Sequence, residues 1–244
     1  MAARYLGVEA RTWDVSAGPA FDLTAPTTQR QVRQDISRGR LVAGMLAPPC
    51  GSFGPAGNRR HPIRSGEYPW GKPSEELSER EQLRIVEGNK TLKAALSIIG
   101  MLHRAKRPWI FEHPHASFAF KTPEMLRLAA APRVHFRVLD QCRFGAKWRK
   151  RTRLMCGNLD EQDTESLERW CAGRGGLCGS GVKHWVLSGS CGGRALAEAY
   201  PQKMAQALAR SLLAPLFGQV YNGLRNPDVE AVAVNSIWDA NLGS

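Results

Sequence analysis

Short apolar segments alternate with longer amphipathic ones along this chain, and this alternation limits the fold more than any other feature of the sequence. The short segments are typical of buried strands, and we predict strands at Ala10–Asp14, Leu41–Leu46, Trp109–Phe111, Val134–Leu139 and Thr152–Cys156. The longer segments space their apolar residues as helices do, at Glu75–Arg104, Pro123–Ala131 and Ala195–Leu216. Strands that alternate with helices form a largely parallel sheet. The sequence therefore predicts an α/β fold, with one antiparallel pair near Val134–Cys156.

The length and composition favour one compact protein inside the cell. The chain has 244 residues, 43% of them apolar, which is enough to bury a substantial core. No apolar run reaches the roughly 18–20 residues that a bilayer span needs, and residues 1–18 lack the apolar centre of a secretory signal. Six cysteines are too few for a disulfide scaffold. We therefore expect an intracellular protein with no membrane association.

Four segments follow from these patterns. Residues 1–156 are predicted to form the α/β core, with a long polar loop over 47–72. Residues 157–194 are rich in glycine and cysteine and are predicted to form a small irregular insert. We expect residues 195–217 to form a helix that returns to the core and residues 218–244 to form a tail.

The positive charge points to a polyanionic partner. Lysine and arginine number 34 against 22 acidic residues, a formal charge of +12, and such an excess favours nucleic acid. The charge is concentrated in residues 143–153, where Phe144 and Trp148 alternate with basic side chains in a mixture typical of phosphate and base contacts. The predicted nucleic-acid contacts in this stretch are Lys147, Arg149 and Lys150. A solvated basic face is the alternative.

Two predicted strands end in tripeptides that can carry chemistry, because ligands bind beyond the carboxyl ends of the strands in open α/β sheets. The first is Pro48-Pro49-Cys50, in which Cys50 is either a reactive thiolate or a small buried residue. The second is Glu112-His113-Pro114. Because a carboxylate is rarely buried without a function or a partner, Glu112 is a catalytic candidate, with a helix N-cap or an ion pair with arginine as alternatives.

The order of these motifs resembles that of the DNA cytosine-5 methyltransferases. That family has a Pro-Cys loop, a Glu-Asn-Val/Pro tripeptide and a Gln-x-Arg-x-Arg segment, and this chain has Pro48-Pro49-Cys50 before Gly51-Ser52-Phe53, then Glu112-His113-Pro114, then Arg151-Thr152-Arg153. Leu6–Ala10 with Trp13-Asp14, Phe21-Asp22-Leu23 and Ala199-Tyr200-Pro201 resemble further motifs of the family. The resemblance covers Leu6–Arg153 and Ala195–Leu212. It implies a Rossmann-like sheet of the kind found in S-adenosylmethionine-dependent methyltransferases.

The resemblance also implies a role for each residue of the motifs. Cys50 would add as a thiolate to C6 of cytosine, and C5 would then accept the methyl group of S-adenosylmethionine. Glu112 would bind the N3/N4 edge of the base and, when protonated, supply a proton to N3. Arg151 and Arg153 would hold the O2 edge and the adjacent phosphate. The base must be flipped out of the DNA duplex, because a stacked base is out of reach.

The same resemblance implies the residues that bind the cofactor and the DNA backbone. Asp14 would take the ribose hydroxyls of S-adenosylmethionine and Asp22 its adenine amino group, and Pro48 would line the same pocket. In the loop that follows Cys50, the implied DNA contacts are Ser52, Arg59 and Arg60.

The chain also departs from the family pattern. The glycine-rich first motif, which normally precedes the segment that corresponds to Leu6–Asp14, is not evident. We expect that a second chain supplies it, that the chain is a truncated or split form, or that the protein no longer methylates. A circular permutation would put the motif at the C-terminus, where Val229–Trp238 lacks the glycines. The insert is short for a target-recognition domain, which predicts loose sequence specificity.

The insert contains candidate metal ligands. Cys171, Cys178 and His184, with Cys156 or Cys191 as a fourth ligand, are predicted to form a tetrahedral zinc site, and otherwise they are reduced thiols. The leading function is methyl transfer to C5 of cytosine in DNA. The alternatives are a catalytically inactive methyltransferase-like or zinc-stapled nucleic-acid-binding protein, and C5 pyrimidine modification with a different one-carbon donor.

Overall fold

A computed structural model describes residues 9–58, 61–187, 199–220 and 230–235. Within these ranges the strands are β1 (Glu9–Thr12), β2 (Leu41–Ala47), β3 (Trp109–Pro114), β4 (Val134–Asp140), β5 (Arg151–Gly157) and β6 (Glu230–Asn235). The α-helices are α1 (Pro26–Ser37), α2 (Glu79–Arg104), α3 (Pro123–Ala129), α4 (Glu161–Thr164) and α5 (Gln202–Val220). The predicted strands and helices are thus present. Their ends differ from the predictions by a few residues, except that the last helix begins at Gln202 and not at Ala195.

The six strands form one mixed sheet in the order β1-β6-β2-β3-β5-β4. The first four in this order run parallel to one another. β5 runs antiparallel to both β3 and β4. The predicted α/β class, the largely parallel sheet and the antiparallel pair near Val134–Cys156 are therefore confirmed.

The strand β6 differs from the expectation of a tail over residues 218–244. It lies between β1 and β2 and pairs with both, with Glu230 opposite Glu9 and Ala233 opposite Met45. The sequence could not predict this placement, because the four apolar residues Ala231–Val234 show neither the neighbours of the strand nor its register. The C-terminal region of the chain thereby supplies an inner strand of the sheet.

Helices cover both faces of the sheet. On one face α1, α2 and α3 enclose a core that includes Ile36, Ile99, Phe111 and Met125. On the other face α5 encloses a core that includes Ile110, Leu154, Met204 and Leu208. Neighbouring residues of one strand contribute to different cores, because side chains alternate between the faces of a sheet.

One helix was not predicted and another begins later than predicted, each for an identifiable reason. The helix α1 was not predicted, since Val32 and Ile36 are its only buried apolar residues and two positions do not make a periodic pattern. The helix α2 begins at Glu79 because Ser78 and Glu81 form a capping box, in which Glu81 accepts a hydrogen bond of 3.0 Å from the Ser78 N–H. In the described part of the chain, no helix combines the length and the apolar character that a membrane crossing requires.

Candidate functional site

The predicted site residues collect at one edge of the sheet. The carboxyl ends of the parallel strands meet at this edge, and Leu46 of β2 lies opposite Phe111 of β3. The segment 48–50 therefore leaves the sheet beside 112–114. Because β5 is antiparallel to β3, its first residue, Arg151, lies at the same edge. Asp14, two residues beyond the end of β1, does so as well.

The loop that follows Cys50 is held close to the end of β3. Its first turn is closed by the Gly54 N–H, which donates to the carbonyl of Cys50, and the Phe53 carbonyl accepts a hydrogen bond of 3.0 Å from the Phe118 N–H. A Cβ added to Gly54 would lie 3.8 Å from Cγ of Pro114. The half-buried Cys50 is thus fixed beside the tripeptide that contains Glu112.

A buried arginine that sequence reasoning missed anchors this loop. The Arg64 side chain is fully buried, and its guanidinium donates to Oγ of Ser52 at 3.0 Å and to the Pro69 carbonyl at 2.9 Å. It also lies 3.7 Å from the centre of the Phe53 ring. Burial, followed by the nearby charge of Arg84, lowers the pKa of Arg64 to about 10. The available signal was an arginine beside the apolar Ile63, but the same loop contains two other arginines.

The approach of this loop to α2 requires a glycine. A Cβ at Gly88 would lie 2.2 Å from Oγ of Ser52 and 3.2 Å from the Arg64 guanidinium. We expect Gly88→Ala to lower the free energy of unfolding by about 1–3 kcal/mol through overpacking, although alanine favours a helix by about 1 kcal/mol.

Gly100 of the same helix provides the control for Gly88. A Cβ there would meet only the mobile end of Arg104, at 3.3 Å, so Gly100→Ala should stabilise the protein through helix propensity. Urea unfolding of both variants measures the difference. Equal stabilities would contradict the tight contact between the loop and α2.

The Glu112 carboxylate is buried, and only one of its two oxygens has a hydrogen-bond partner among the described residues. Its side chain is enclosed at the end of β3 with a relative exposure of 6%. One carboxylate oxygen, Oε2, accepts a hydrogen bond of 3.0 Å from the hydroxyl of Tyr200, just before α5. The other, Oε1, has no hydrogen-bond partner among the residues that the structure describes. A buried polar atom without a partner is costly, so this oxygen is available to a ligand.

The neighbouring His113 is neutral and structural. Its Nδ1 lies 2.7 Å from the Ser117 hydroxyl, and its ring stacks on Phe111. Complete burial, followed by the charge of Lys150, lowers the pKa of His113 to about 3, although the Pro48 carbonyl opposes that shift. The imidazole therefore stays uncharged at neutral pH. It packs the ends of β2 and β3 together and is not an acid or base candidate.

Arg151 and Arg153 lie on the other side of the sheet from Glu112. Arg153 is opposite His113 in the ladder, one position from Glu112, and its guanidinium lies over the rings of Phe120 and Phe136. Alternation puts neighbouring ladder positions on opposite faces. The structure thus does not bring Arg153 together with Glu112.

Arg151 is held by a buried aspartate at the end of β4. Its Nε and Nη2 donate to the two oxygens of Asp140 at 3.0 and 2.9 Å. Burial alone would raise the pKa of Asp140, but the hydrogen bonds from Arg151 and from the Cys171 N–H outweigh it and lower that pKa. The pair is bidentate, which fixes the plane of the guanidinium.

The predicted cofactor residues occupy the loops at the same edge. The Asp14 carboxylate accepts a hydrogen bond of 2.8 Å from the Ser16 N–H and so caps a short turn. The Asp22 carboxylate accepts from the hydroxyl of Thr24 at 2.7 Å, which lowers the pKa of Asp22. Pro48 is half-buried at the end of β2.

The predicted DNA contacts divide into three groups. Ser52 is buried and bonded to Arg64, so its hydroxyl is engaged inside the protein. Arg59 and Arg60 lie outside the described residues. Of the basic stretch, Lys147 is exposed with its ammonium 4.5 Å from the centre of the Trp185 ring. Arg149 donates to the carbonyls of Cys171 and Gly173, each at 3.2 Å, and Lys150 is half-buried.

Three of the predicted metal ligands come together with a cysteine that was not predicted. The donor atoms of Cys142, Cys171, Cys178 and His184 all lie within 4.8 Å of one another, a Cys3His cluster that can hold a metal ion. The fourth member is Cys142, in the turn after β4, and not Cys156. Cys156 points into the core from β5, where burial raises its pKa to about 12. Cys191, the other predicted fourth ligand, lies outside the described residues.

Comparison of the chain with family models, with curated proteins and with solved structures found no match.

Proposed function

We propose that this protein transfers a methyl group from S-adenosylmethionine to C5 of cytosine in DNA through a covalent adduct on Cys50. The observation that carries the proposal is the buried carboxylate of Glu112, whose Oε1 lacks a partner in the described part of the chain. It stands at the edge where the Cys50 loop leaves the neighbouring strand. A thiol and a carboxylate with a free hydrogen-bonding position are the two groups that cytosine activation at C5 needs.

Cys50 and Glu112 activate the base in this reaction. The Cys50 thiolate adds to C6, which makes C5 nucleophilic, and C5 takes the methyl group from the sulfonium of the cofactor. Glu112 hydrogen-bonds to the N3/N4 edge of the base, so that negative charge does not build up on the ring. Loss of the C5 proton to a base then expels Cys50 and restores the aromatic ring. A flipped-out base is required, as for other enzymes that modify bases.

The two arginines take different parts in this proposal. Arg151 lies at the sheet edge in a fixed plane set by Asp140, on the opposite face from Glu112, which suits contact with a phosphate beside the target base. Arg153 is half-buried over two phenylalanine rings. We therefore assign phosphate contact to Arg151 and a packing role to Arg153.

The cofactor pocket of the proposal lies at the carboxyl ends of β1, β6 and β2. We propose a Rossmann-like methyltransferase sheet in which Asp14, Asp22 and Pro48 contact S-adenosylmethionine, because ligands of such sheets bind at that edge. Since β6 lies between β1 and β2, these three strands border the proposed pocket. Zinc at the Cys3His cluster is the second cofactor of the proposal.

The proposal is tested by calorimetric titration with S-adenosylhomocysteine and by transfer of labelled methyl groups to mixed-sequence DNA. We expect micromolar binding at one site per chain and label on C5 of cytosine. Binding that strengthens as the protein dimerises would indicate a pocket completed by a second chain. DNA binding without cofactor binding would instead indicate an inactive nucleic-acid-binding protein. A C5 adduct that forms without S-adenosylmethionine would indicate another one-carbon donor.

The Tyr200 hydroxyl is expected to orient the Glu112 carboxylate. Tyr200→Phe removes the hydrogen bond of 3.0 Å to Oε2, and hydrogen bonds to charged groups are typically worth about 10- to 100-fold in an equilibrium. We expect kcat for methyl transfer to fall by roughly tenfold or more, with little change in affinity for S-adenosylhomocysteine. The exposed Tyr68 supplies the control, and Tyr68→Phe should leave kcat unchanged. Equal kcat values for the two variants would contradict this role of Tyr200.

A further inference from the structure

The segment that carries three of the four metal ligands has almost no core of its own. Between residues 168 and 187, Cys171 alone is buried. Its large apolar side chains point outward, with Val186 82% and Val182 66% exposed. A segment that buries so little apolar area cannot offset the entropy lost on ordering. Something other than hydrophobic packing must hold it in place.

The donor atoms match a tetrahedral metal ion. The Sγ atoms of Cys171 and Cys178 are 3.7 Å apart, and Sγ of Cys171 is 3.8 Å from Nε2 of His184. A tetrahedral zinc ion with Zn–S bonds of about 2.3 Å places its sulfur ligands about 3.8 Å from one another. Three thiolates and one imidazole are a common ligand set of structural zinc sites, and four protein ligands leave no open position.

The backbone of the segment is shaped for these ligands. The Cys178 N–H donates to the Val182 carbonyl and the His184 N–H donates to the Gly176 carbonyl, which folds residues 176–184 into a tight hairpin. Gly173 cannot be replaced there, because a Cβ would lie 1.9 Å from the Leu177 carbonyl oxygen. The backbone hydrogen bonds of the hairpin therefore place Cys178 and His184 close to Cys171.

The cluster is connected directly to the basic stretch. The Cys171 N–H donates to Oδ2 of Asp140 at 2.8 Å, and the same oxygen accepts from Arg151. The Cys171 carbonyl accepts from Arg149 at 3.2 Å. Both backbone groups of one metal ligand thus belong to the network that orients Arg149 and Arg151.

Two half-exposed tryptophans flank this network. Trp170, next to Cys171, is 50% exposed and its ring lies 4.7 Å from the Arg151 guanidinium carbon. Trp185, next to His184, is 52% exposed, and the Lys147 ammonium lies over its ring. The backbone N–H of Trp185 donates a hydrogen bond of 2.8 Å to the Lys147 carbonyl. Exposed aromatic rings interleaved with cations are the surface on which nucleic-acid bases stack beside neutralised phosphates.

We infer that Cys142, Cys171, Cys178 and His184 bind a structural zinc ion, and that this ion builds the nucleic-acid-binding surface on which Trp170, Trp185 and Lys147 lie. The ion ties the turn after β4 to the segment 168–187. Its removal would free the segment and separate the tryptophans from the basic stretch. The metal site stands independently of the proposed methyl transfer, whereas contact of this surface with the DNA beside the target base rests on that function.

The metal is tested first on the full chain with its native sequence. We expect one zinc ion per chain after purification from zinc-supplemented medium. Replacement by Co²⁺ should give the intense visible absorption of a tetrahedral thiolate site. A protein that contains no zinc and gives no such absorption with Co²⁺ would overturn the inference without any variant.

The ligand set is tested with a matched pair of cysteines. Cys142→Ser is expected to lose zinc, whereas Cys156→Ser, which changes a buried cysteine outside the cluster, should retain one equivalent. Equal zinc contents in the two variants would show that Cys142 is not a ligand.

The surface is tested by DNA affinity in a variant that keeps the metal. Trp185→Ala should retain zinc and weaken DNA binding by about 5- to 100-fold, the range for loss of one stacked base. The control is Leu126→Ala, which removes an exposed apolar side chain of α3, outside both the insert and the loop after Cys50, and should leave DNA affinity unchanged. If Trp185→Ala binds DNA with unchanged affinity, the inferred nucleic-acid-binding surface is wrong. Zinc and DNA binding without methyl transfer would instead overturn the proposed function alone.

Discussion

Replacement of Cys50 with alanine is expected to abolish methyl transfer, with a loss on the order of 10⁴- to 10⁶-fold, the scale of removing a catalytic nucleophile. No other described cysteine lies at the sheet edge beside Glu112: Cys142, Cys171 and Cys178 belong to the metal cluster and Cys156 to the core. Without a thiolate at C6, C5 of cytosine stays too poor a nucleophile to attack the cofactor. Affinity for DNA and for S-adenosylhomocysteine should remain almost unchanged, because neither depends on the adduct.

The control for Cys50→Ala is Cys156→Ala, which removes a buried thiol that the reaction does not use. Circular dichroism shows whether this variant is folded, and the folded variant should transfer methyl groups at the wild-type rate. Cys50→Ala with full activity would mean that the covalent mechanism is wrong. If the wild-type protein binds DNA with the same affinity as Cys50→Ala but never methylates it, the result favours the alternative of an inactive nucleic-acid-binding protein.

Glu112→Gln is expected to lower kcat by about 10²- to 10⁴-fold, the usual contribution of a general acid or base. Glutamine keeps the shape of the side chain and can still accept the Tyr200 hydrogen bond, so the fold should be retained. It cannot supply a proton to N3 of the base, so charge would accumulate on the ring after Cys50 adds. The measurement is single-turnover methyl transfer, which separates chemistry from product release.

An exposed glutamate provides the comparison for Glu112→Gln. Glu87 lies on the solvent side of α2, and Glu87→Gln should leave the single-turnover rate unchanged. If Glu112→Gln retains the wild-type rate as well, Glu112 is a structural residue bound to Tyr200 and takes no part in the chemistry.

The sequence predicts the position of the candidate residues in the fold well where they follow directly after an apolar run. The apolar run Trp109–Phe111 predicts a buried strand that leads into Glu112 and His113, and in the structure this strand continues through both residues to Pro114. The same reasoning places Cys50 after Leu41–Leu46. Because parallel strands share one carboxyl edge, the two tripeptides had to come near each other if their strands were neighbours, and the pairing of Leu46 with Phe111 makes them so.

The residues that the sequence could not assign depend on tertiary contacts. Arg64 resembles every other arginine of a polar loop until its guanidinium is seen against Phe53. Cys142 lies 29 positions before Cys171, too far for a spacing rule to connect them. They come together because the Asp140 N–H donates to the Arg169 carbonyl and the Cys171 N–H donates to the Asp140 carboxylate. The face of Arg153 likewise depends on a register that no local pattern sets.

The most direct test of the covalent mechanism uses DNA in which 5-fluorocytosine replaces cytosine. Fluorine at C5 cannot leave as a proton does, so an adduct formed in the presence of S-adenosylmethionine should persist through denaturation. We expect peptide mapping of the trapped complex to place methylated fluorocytosine on Cys50. Failure to trap any adduct, by a protein shown to bind both DNA and S-adenosylhomocysteine, would contradict the mechanism, as would an adduct on another cysteine.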